Sequence, residues 1–240
     1  MIKQVVSFGD SFVWGDELLD PGLEDHENPH PSIVENIEYR ESNCFTGRIA
    51  KHYDIPQKNF GIPGGSLQST IWTYLWWMEN DPLANESLVL VGLTEPSRHT
   101  FYNPKHVSYA NDPEWNRFVH SAWVHNNSSI FPDEWVDMVK KHTTLTWSKR
   151  YFKIQLNQSL TFFNNARHEH PKLLQFFTIP NRTSLAREFQ TLPNLHSCVE
   201  LLEDVINNGT GTEVLKPNRH PNEKGHRFIT NWLLSELDML

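Results

Sequence analysis

Leu88, Val89, Leu90 and Val91 are apolar at every successive position, so a strand built from them must bury both of its faces. A strand with one solvated face alternates polar and apolar residues; this one does not, and it belongs in the middle of a parallel sheet covered on both sides. The rest of the sequence supplies the neighbours and the cover. Residues 5–8 (Val-Val-Ser-Phe) form a second short β-prone run, and residues 173–179 form another, ended by Pro180. Residues 45–53 place Phe45, Ile49 and Ala50 on one helical face, and Ser66 can cap a helix running to about Asn80. Residues 143–167 carry Trp147, Tyr151, Ile154 and Leu160 near helical spacing. Further helices are expected at 197–207 and from about Pro221 to Met239, separated by a Gly-rich turn at 209–211. Strands alternating with helices dictate an α/β fold, with a parallel sheet and helices on both faces.

Several segments do not fit this alternation. Residues 16–42 read as a polar loop, and residues 59–65 (Asn-Phe-Gly-Ile-Pro-Gly-Gly) as a loop too rich in Gly and Pro to be regular. Residues 95–142 scatter Trp115, Trp123 and Trp135 among Asn, His, Pro and Asp without clean periodicity, and are expected to form an insertion or lid. Those three Trp are candidates for stacking on sugars or, alternatively, for packing the insertion's own core; Trp72, Trp76 and Trp77 read as the core stripe of a helix. No repeat, low-complexity tract or linker divides the 240 residues, so one domain spanning 1–240 is expected.

Composition removes several functional classes. The formal charge is −8 and no run of Lys and Arg supplies a phosphate-neutralising stripe, so a nucleic-acid partner is not expected. Cys44 and Cys198 lie far apart and outside any Cys-x-x-Cys spacing, which offers neither a disulfide framework nor a zinc knuckle. His168 and His170 are too close together for a helical zinc motif, while His26 and His30 fall in the polar loop, so neither a metal nor any other cofactor is expected. The richest apolar stretch, residues 71–78, is far short of the roughly 20 residues of a membrane span. Residues 1–6 run straight into a strand with no leader pattern, and a cytoplasmic location away from any membrane is the expectation.

Chemistry enters at the two ends of the chain. Gly9-Asp10-Ser11 is a turn placed where the first strand's carboxyl end delivers a residue to a site, although such residue types also occur in turns for conformational reasons alone. Near the other end, His220 stands just before Pro221, a residue suited to opening a helix, which holds the imidazole at a loop edge as a general base requires. A loop His held by hydrogen bonds is the alternative; His226, one turn into the last helix, reads as a packing residue.

This pair of motifs resembles the SGNH (GDSL-like) hydrolases, in which a Ser follows the first strand in a Gly-Asp-Ser turn and a catalytic His precedes the final helix. The likeness covers four short blocks in family order, at residues 5–17, 59–66, 88–98 and 216–228. It implies a three-layer α/β/α sandwich with a flavodoxin-like central parallel sheet, and an esterase or deacetylase acting on a small or carbohydrate-borne ester. It also implies Ser11 as nucleophile, His220 as base, and an oxyanion hole of the Ser11 and Gly64 N–H groups with a side-chain donor at Thr94. Asp10, Asn59, Glu95 and Arg98 are its candidate substrate-facing residues. Asp10 has the alternative of fixing the turn, and Arg98 that of a surface ion pair. Residues 11–18 and 94–98 look, more narrowly, like a branch often encoded by bacteriophages, for which a host-cytoplasm or virion location follows.

Two positions depart from the family. The third oxyanion donor there is Asn, whereas Thr94 reaches less far, and losing one such donor costs about 10²–10³ in turnover. The acid that orients the His is an Asp shortly before it, and this sequence has Pro217 and Asn218 there. An amide at Asn218 cannot steady an imidazolium as a carboxylate does, and the corresponding change in a serine triad costs about 10⁴. A backbone carbonyl, or a carboxylate from Glu213, Asp16 or Glu95, is left to take that role. The second functional reading is therefore an SGNH-fold protein that has lost turnover and binds carbohydrate or serves a virion. A flavodoxin-like nucleotide binder fits least, because residues 61–65 lack the Lys and spacing of a phosphate loop.

Overall fold

The computed structural model describes residues 2–23, 30–102, 118–126, 129, 131–146, 149–170, 172–178 and 220–238. Its elements in chain order are β1 (Gln4–Gly9), α1 (Ser11–Trp14), α2 (Ile37–Asn43), α3 (Phe45–Tyr53), β2 (Gln57–Gly61), α4 (Leu67–Asn80) and β3 (Ser87–Leu93). There follow β4 (Thr100–Tyr102), β5 (Phe118–His120), α5 (Ser121–Asn126), α6 (Asp133–Thr146), α7 (Lys149–Ala166), β6 (Leu173–Phe177) and α8 (Glu223–Leu237).

Among the described residues the main sheet has four strands in the order β2-β1-β3-β6, and every pairing is parallel. Every residue of β1 and of β3 is buried, as strands flanked on both edges and covered on both faces must be. Alternation of side chains then sorts the strand residues into two cores. Val6, Phe8, Val89, Val91 and Leu93 face α4 and α7, where Leu67, Tyr74, Trp77, Leu156, Leu160 and Phe163 meet them. Val5, Leu88, Leu90, Leu174 and Phe176 face α3 and α8, packing on Phe45, Ile49, Ile229, Leu233 and Leu237. Each such side chain contributes about 1.5–3 kcal/mol on leaving water, and the result is the expected three-layer α/β/α sandwich with a central parallel sheet.

Helix boundaries follow their caps. Ser66 accepts from the Ser69 N–H at 3.2 Å while the Ser69 hydroxyl receives the Ser66 N–H at 2.8 Å, a reciprocal capping box that starts α4 where the sequence predicts it. On α4 Trp77 is buried and Trp76 packs against the core, while Trp72 is 38% exposed and lies off the stripe. The last helix begins later than expected: Asn222, not Pro221, is its cap, accepting from the Gly225 N–H at 3.0 Å.

Three regions differ from the sequence reading. Residues 57–61 are the edge strand β2 rather than loop; its polar residues are tolerated because an edge strand is only half covered. Only residues 62–65 turn. The loop at 16–42 contains α2 and two short 3₁₀ turns. Between β3 and α7, β4 and β5 pair antiparallel and α6 is a regular helix, built around a small core of Val119, Val124, Val136 and Val139. Trp135 and Phe101 pack on that core, so Trp135 has a packing role rather than that of an open sugar platform. Trp115, the Trp123 side chain, the helix expected at 197–207 and the turn at 209–211 lie outside what is described. Among the described residues no helix is long and apolar enough to cross a membrane.

At the amino end of the sheet Asp81 ties three elements together. Its Oδ2 accepts from Gln4 Nε2 (3.0 Å), Lys58 Nζ (2.9 Å) and Trp77 Nε1 (2.6 Å), and its Oδ1 accepts from the Leu83 N–H (2.9 Å). Burial alone would raise its pKa, but these donors outweigh it and bring the carboxyl down to about 2. Because the folded pKa lies below the ordinary 3.8, the charge stabilises the fold above that value and the gain is lost as pH falls toward 2. Asp81→Asn is expected to cost about 2 kcal/mol at neutral pH, and urea unfolding at a series of pH values should show that gap closing between pH 4 and pH 2.

Candidate active site

The site is built where β1 stops. Gly9 has φ +154°, and a Cβ there would lie 2.5 Å from Val13 Cγ2 and 2.8 Å from the Gly92 carbonyl, so the close approach of β1, α1 and β3 requires glycine. Asp10 then caps α1 by accepting the Phe12 N–H at 3.0 Å. Ser11 is the first residue of that one-turn helix, which closes on Gly15 in the left-handed conformation at φ +88°.

From the far end of the chain the segment preceding α8 brings His220 to the same place. Ser11 Oγ and His220 Nε2 are 2.7 Å apart, a full hydrogen bond between residues separated by 209 positions. The Phe12 ring packs on the imidazole with centroids 5.3 Å apart. Ser11 is buried and His220 half-buried. Burial lowers the pKa of His220, and Arg98 lowers it further; Asp16 and then Asp10 oppose the shift. The ring is therefore neutral at neutral pH and able to take a proton from the Ser11 hydroxyl.

Asp10 is wholly buried, and its carboxylate points into the protein. Its Oδ2 accepts from the hydroxyls of Thr94 (2.7 Å) and Thr178 (3.0 Å), and Arg98 Nη1 stands 3.6 Å away. This corrects the expectation for Thr94 and favours, for Asp10, the alternative of fixing the turn. Asp10 is a structural carboxylate, because a charge with no exposure must be met by donors from the protein. The Thr94 hydroxyl gives its proton to Asp10, so it is not aimed as a side-chain oxyanion donor.

Asn59 is also structural: its Nδ2 donates to the Val13 carbonyl at 2.8 Å and its Oδ1 accepts the Gly61 N–H at 2.9 Å, fastening β2 to α1. A Cβ on Gly61 would run into the backbone of Trp14. Gly64 sits at φ +73° in the turn closed by the Gly65 N–H on the Ile62 carbonyl (2.8 Å). That turn is fixed to the end of β1 by the Ile62 N–H donating to the Gly9 carbonyl at 2.9 Å, so Gly64 shares the sheet edge with Ser11. The carbonyl of Glu95 accepts the Arg98 N–H at 3.1 Å, and the Arg98 guanidinium turns toward Asp10 rather than lying in a surface ion pair. Glu213, Pro217 and Asn218 lie outside the described residues.

Two residues enter the site that the sequence reading does not single out. Thr178 follows β6 as Thr94 follows β3, and the equivalent exit from a neighbouring parallel strand is the signal that marks it. Glu17 Oε1 lies 4.0 Å from His220 Nδ1, while Asp16 Oδ2 lies 3.6 Å from Nε2. Asp16, Glu17 and His220 each offer a donor atom within 4.8 Å of the others, the one such group among the described residues that could ligate a metal ion.

His226 belongs to the packing and not to the site. It is fully buried, its Nδ1 accepts the Phe45 N–H at 3.2 Å, and it stacks on the Phe45 ring. Burial first, then Arg48 and His220, lower its pKa to about 3. Below its ordinary pKa of 6.5 the unfolded chain gains a proton that the folded chain refuses, so stability falls with pH from there toward 3. His226→Asn can still accept from Phe45, and it is expected to remove about 1.4 kcal/mol per pH unit of that acid sensitivity, read from urea midpoints between pH 6 and pH 4.

No protein-family model matches the sequence, and none of the curated proteins does. Solved structures do resemble it. A member of the lipolytic protein G-D-S-L family from Veillonella parvula is similar over 99% of this chain and 100% of its own, with a TM-score of 0.50 at 11% identity. A family two carbohydrate esterase from Clostridium thermocellum, determined with cellohexaose, matches 98% of this chain and 63% of its own, at TM-score 0.49 and 10% identity. A catalytic mutant of an acetylxylan esterase from Geobacillus stearothermophilus matches 98% of this chain and 94% of its own, at TM-score 0.46 and 12% identity. The sheet order, the two helical layers and the end-to-end match with the first of these show that the chain has the fold of the G-D-S-L lipolytic proteins.

Proposed function

We propose that this protein is an SGNH-type serine hydrolase, an esterase or deacetylase for a small or carbohydrate-borne ester. The observation that carries the reading is the 2.7 Å hydrogen bond between Ser11 Oγ and His220 Nε2 at the carboxyl edge of a parallel sheet. A serine hydroxyl is a weak nucleophile until a base takes its proton, and a neutral, half-buried imidazole is suited to that task.

In the proposed reaction Ser11 Oγ bonds to the ester carbonyl carbon as its proton passes to His220 Nε2, and the carbonyl π electrons move to oxygen. The resulting oxyanion takes the N–H of Ser11, whose position at the start of α1 leaves it no acceptor within the helix, and the N–H of Gly64. Collapse of the intermediate expels the alkoxide, which takes the proton back from His220. Water then repeats the sequence on the acyl-serine and releases the acid.

A second reading keeps the fold without turnover, as a carbohydrate-binding or virion-associated accessory protein. The commitment of the Thr94 hydroxyl to Asp10 favours it, since one missing oxyanion donor costs about 10²–10³ in rate. The likeness of residues 11–18 and 94–98 to bacteriophage-encoded relatives is compatible with either.

Incubation with a fluorophosphonate probe separates the two. Labelling at Ser11 that disappears in Ser11→Ala and in His220→Ala, accompanied by hydrolysis of p-nitrophenyl acetate that falls at least about 10³-fold in both variants, is the expected result. Binding of acetylated oligosaccharide with neither labelling nor turnover would establish the accessory role instead.

A further inference from the structure

Resting on the hydrolase reading, we propose that Glu17 is the carboxylate that positions His220, so that nucleophile and orienting acid are carried by one short turn. The requirement comes from the imidazole. Nε2 can accept from Ser11 only in the tautomer whose proton sits on Nδ1, and an acceptor on the Nδ1 side selects that tautomer and steadies the imidazolium that follows. Glu17 Oε1 is on that side, 4.0 Å from Nδ1. Asp16 Oδ2 is on the other, 3.6 Å from Nε2, where it offsets the ring's positive charge but cannot favour the tautomer protonated at Nδ1.

The turn holds Glu17 in place. After α1 the left-handed Gly15 reverses the chain, and the N–H groups of Gly15 and Asp16 both donate to the Ser11 carbonyl, at 3.0 and 3.1 Å. Next the Leu18 N–H donates to the Gly15 carbonyl at 3.1 Å, the Leu18 side chain is buried, and its carbonyl accepts from Asn36 Nδ2 at 2.7 Å. The backbone of Glu17 is thus fixed between a residue bonded to the nucleophile and a buried anchor. From 4.0 Å, a movement of about 1 Å brings Oε1 within hydrogen-bond range of Nδ1. Catalytic hydrogen bonds are commonly long without substrate and shorten in the complex.

Among the described residues, the charged and titratable groups around His220 are Asp16 and Glu17 from this turn, Asp10 from the end of β1, Arg98 from the segment after β3 and His226 from α8. During attack the Ser11 proton moves to Nε2 while the Nδ1 proton stays on the ring, shared with Glu17. The glutamate remains ionised throughout, and the proton leaves from Nε2 to the alkoxide.

The test is kcat and KM for p-nitrophenyl acetate as a function of pH, for the native chain and for Glu17→Gln, Asp16→Asn and Ser11→Ala. Glu17→Gln is expected to lower kcat by about 10²–10⁴-fold with KM nearly unchanged, at an unaltered melting temperature. Its acid limb should move to lower pH, because removing a neighbouring negative charge lowers the pKa of the imidazole. Asp16→Asn should move the acid limb the same way with less than about a tenfold loss of kcat. Retention of kcat and of the pH profile in Glu17→Gln, with Ser11→Ala inactive, would overturn the role of Glu17 and leave the hydrolase reading standing. Undiminished hydrolysis by Ser11→Ala would remove both. Should Glu17→Gln fail to fold, the phosphonylated native protein decides: a downfield Nδ1 proton of His220 with a nuclear Overhauser effect to the Glu17 methylenes supports the proposal, and its absence overturns it.

Discussion

A single buried carboxylate organises the carboxyl edge of the sheet. Asp10 has no exposure, and a bare carboxylate in that setting would cost several kcal/mol or take up a proton. It receives the Phe12 N–H and the hydroxyls of Thr94 and Thr178, with the Arg98 guanidinium 3.6 Å away. Those donors stand at the exits of β1, β3 and β6, so the demand of one charge for hydrogen bonds fixes how three neighbouring strands end relative to each other. The carboxylate also caps the helix whose first residue is Ser11. The hydroxyl's position is therefore a consequence of the charge beside it, through a chain of bonds each about 3 Å or shorter.

Close backbone packing completes the restraint. Gly9 lets β1 turn against Val13 and Gly92, and Gly61 lets β2 press on the backbone of Trp14. Asn59 then bonds the Val13 carbonyl, so α1 is gripped from the β2 side as well. A helix of only four residues has little stability of its own, and these contacts, with Val13 in the core and Phe12 on His220, hold it. At the opposite end of the sheet Asp81 performs a related service for Gln4, Lys58 and Trp77, away from the site.

The fold was legible in the sequence wherever apolar pattern and capping chemistry agreed. The doubly apolar run at 88–91 placed β3 at the centre, and Ser66 marked the start of α4. Edge strand β2 escaped notice because its residues are polar and lead into Gly and Pro, leaving no alternation to detect. Ser11 and His220 could be paired from motif order alone, since the strand-to-turn and loop-to-helix contexts are local. Asn59 reads as substrate-facing because its motif position is near the site, whereas its half-buried amide is spent on the Val13 carbonyl and the Gly61 N–H; of the two readings of Asp10, burial, which sequence does not display, favours the one in which it fixes the turn. Thr178 and Glu17 reach the site across a strand exit and a reversed turn, and such juxtapositions are visible only once the sheet order is known.

The same geometry sets the basicity of His220. Burial and Arg98 press the ring toward its neutral form, and Asp16 and Asp10 press it toward the cation. The net shift is downward, so the imidazole is empty-handed at neutral pH and the proton it accepts is held less tightly than in water. In the proposed reaction a base weakened in this way would take the serine proton less readily and return it more easily to a leaving alkoxide. Arg98 is positioned by the carboxylate that caps α1, so the wholly buried Asp10 bears on the site twice: it fixes where the hydroxyl stands, and it anchors a cation that lowers the pKa of His220.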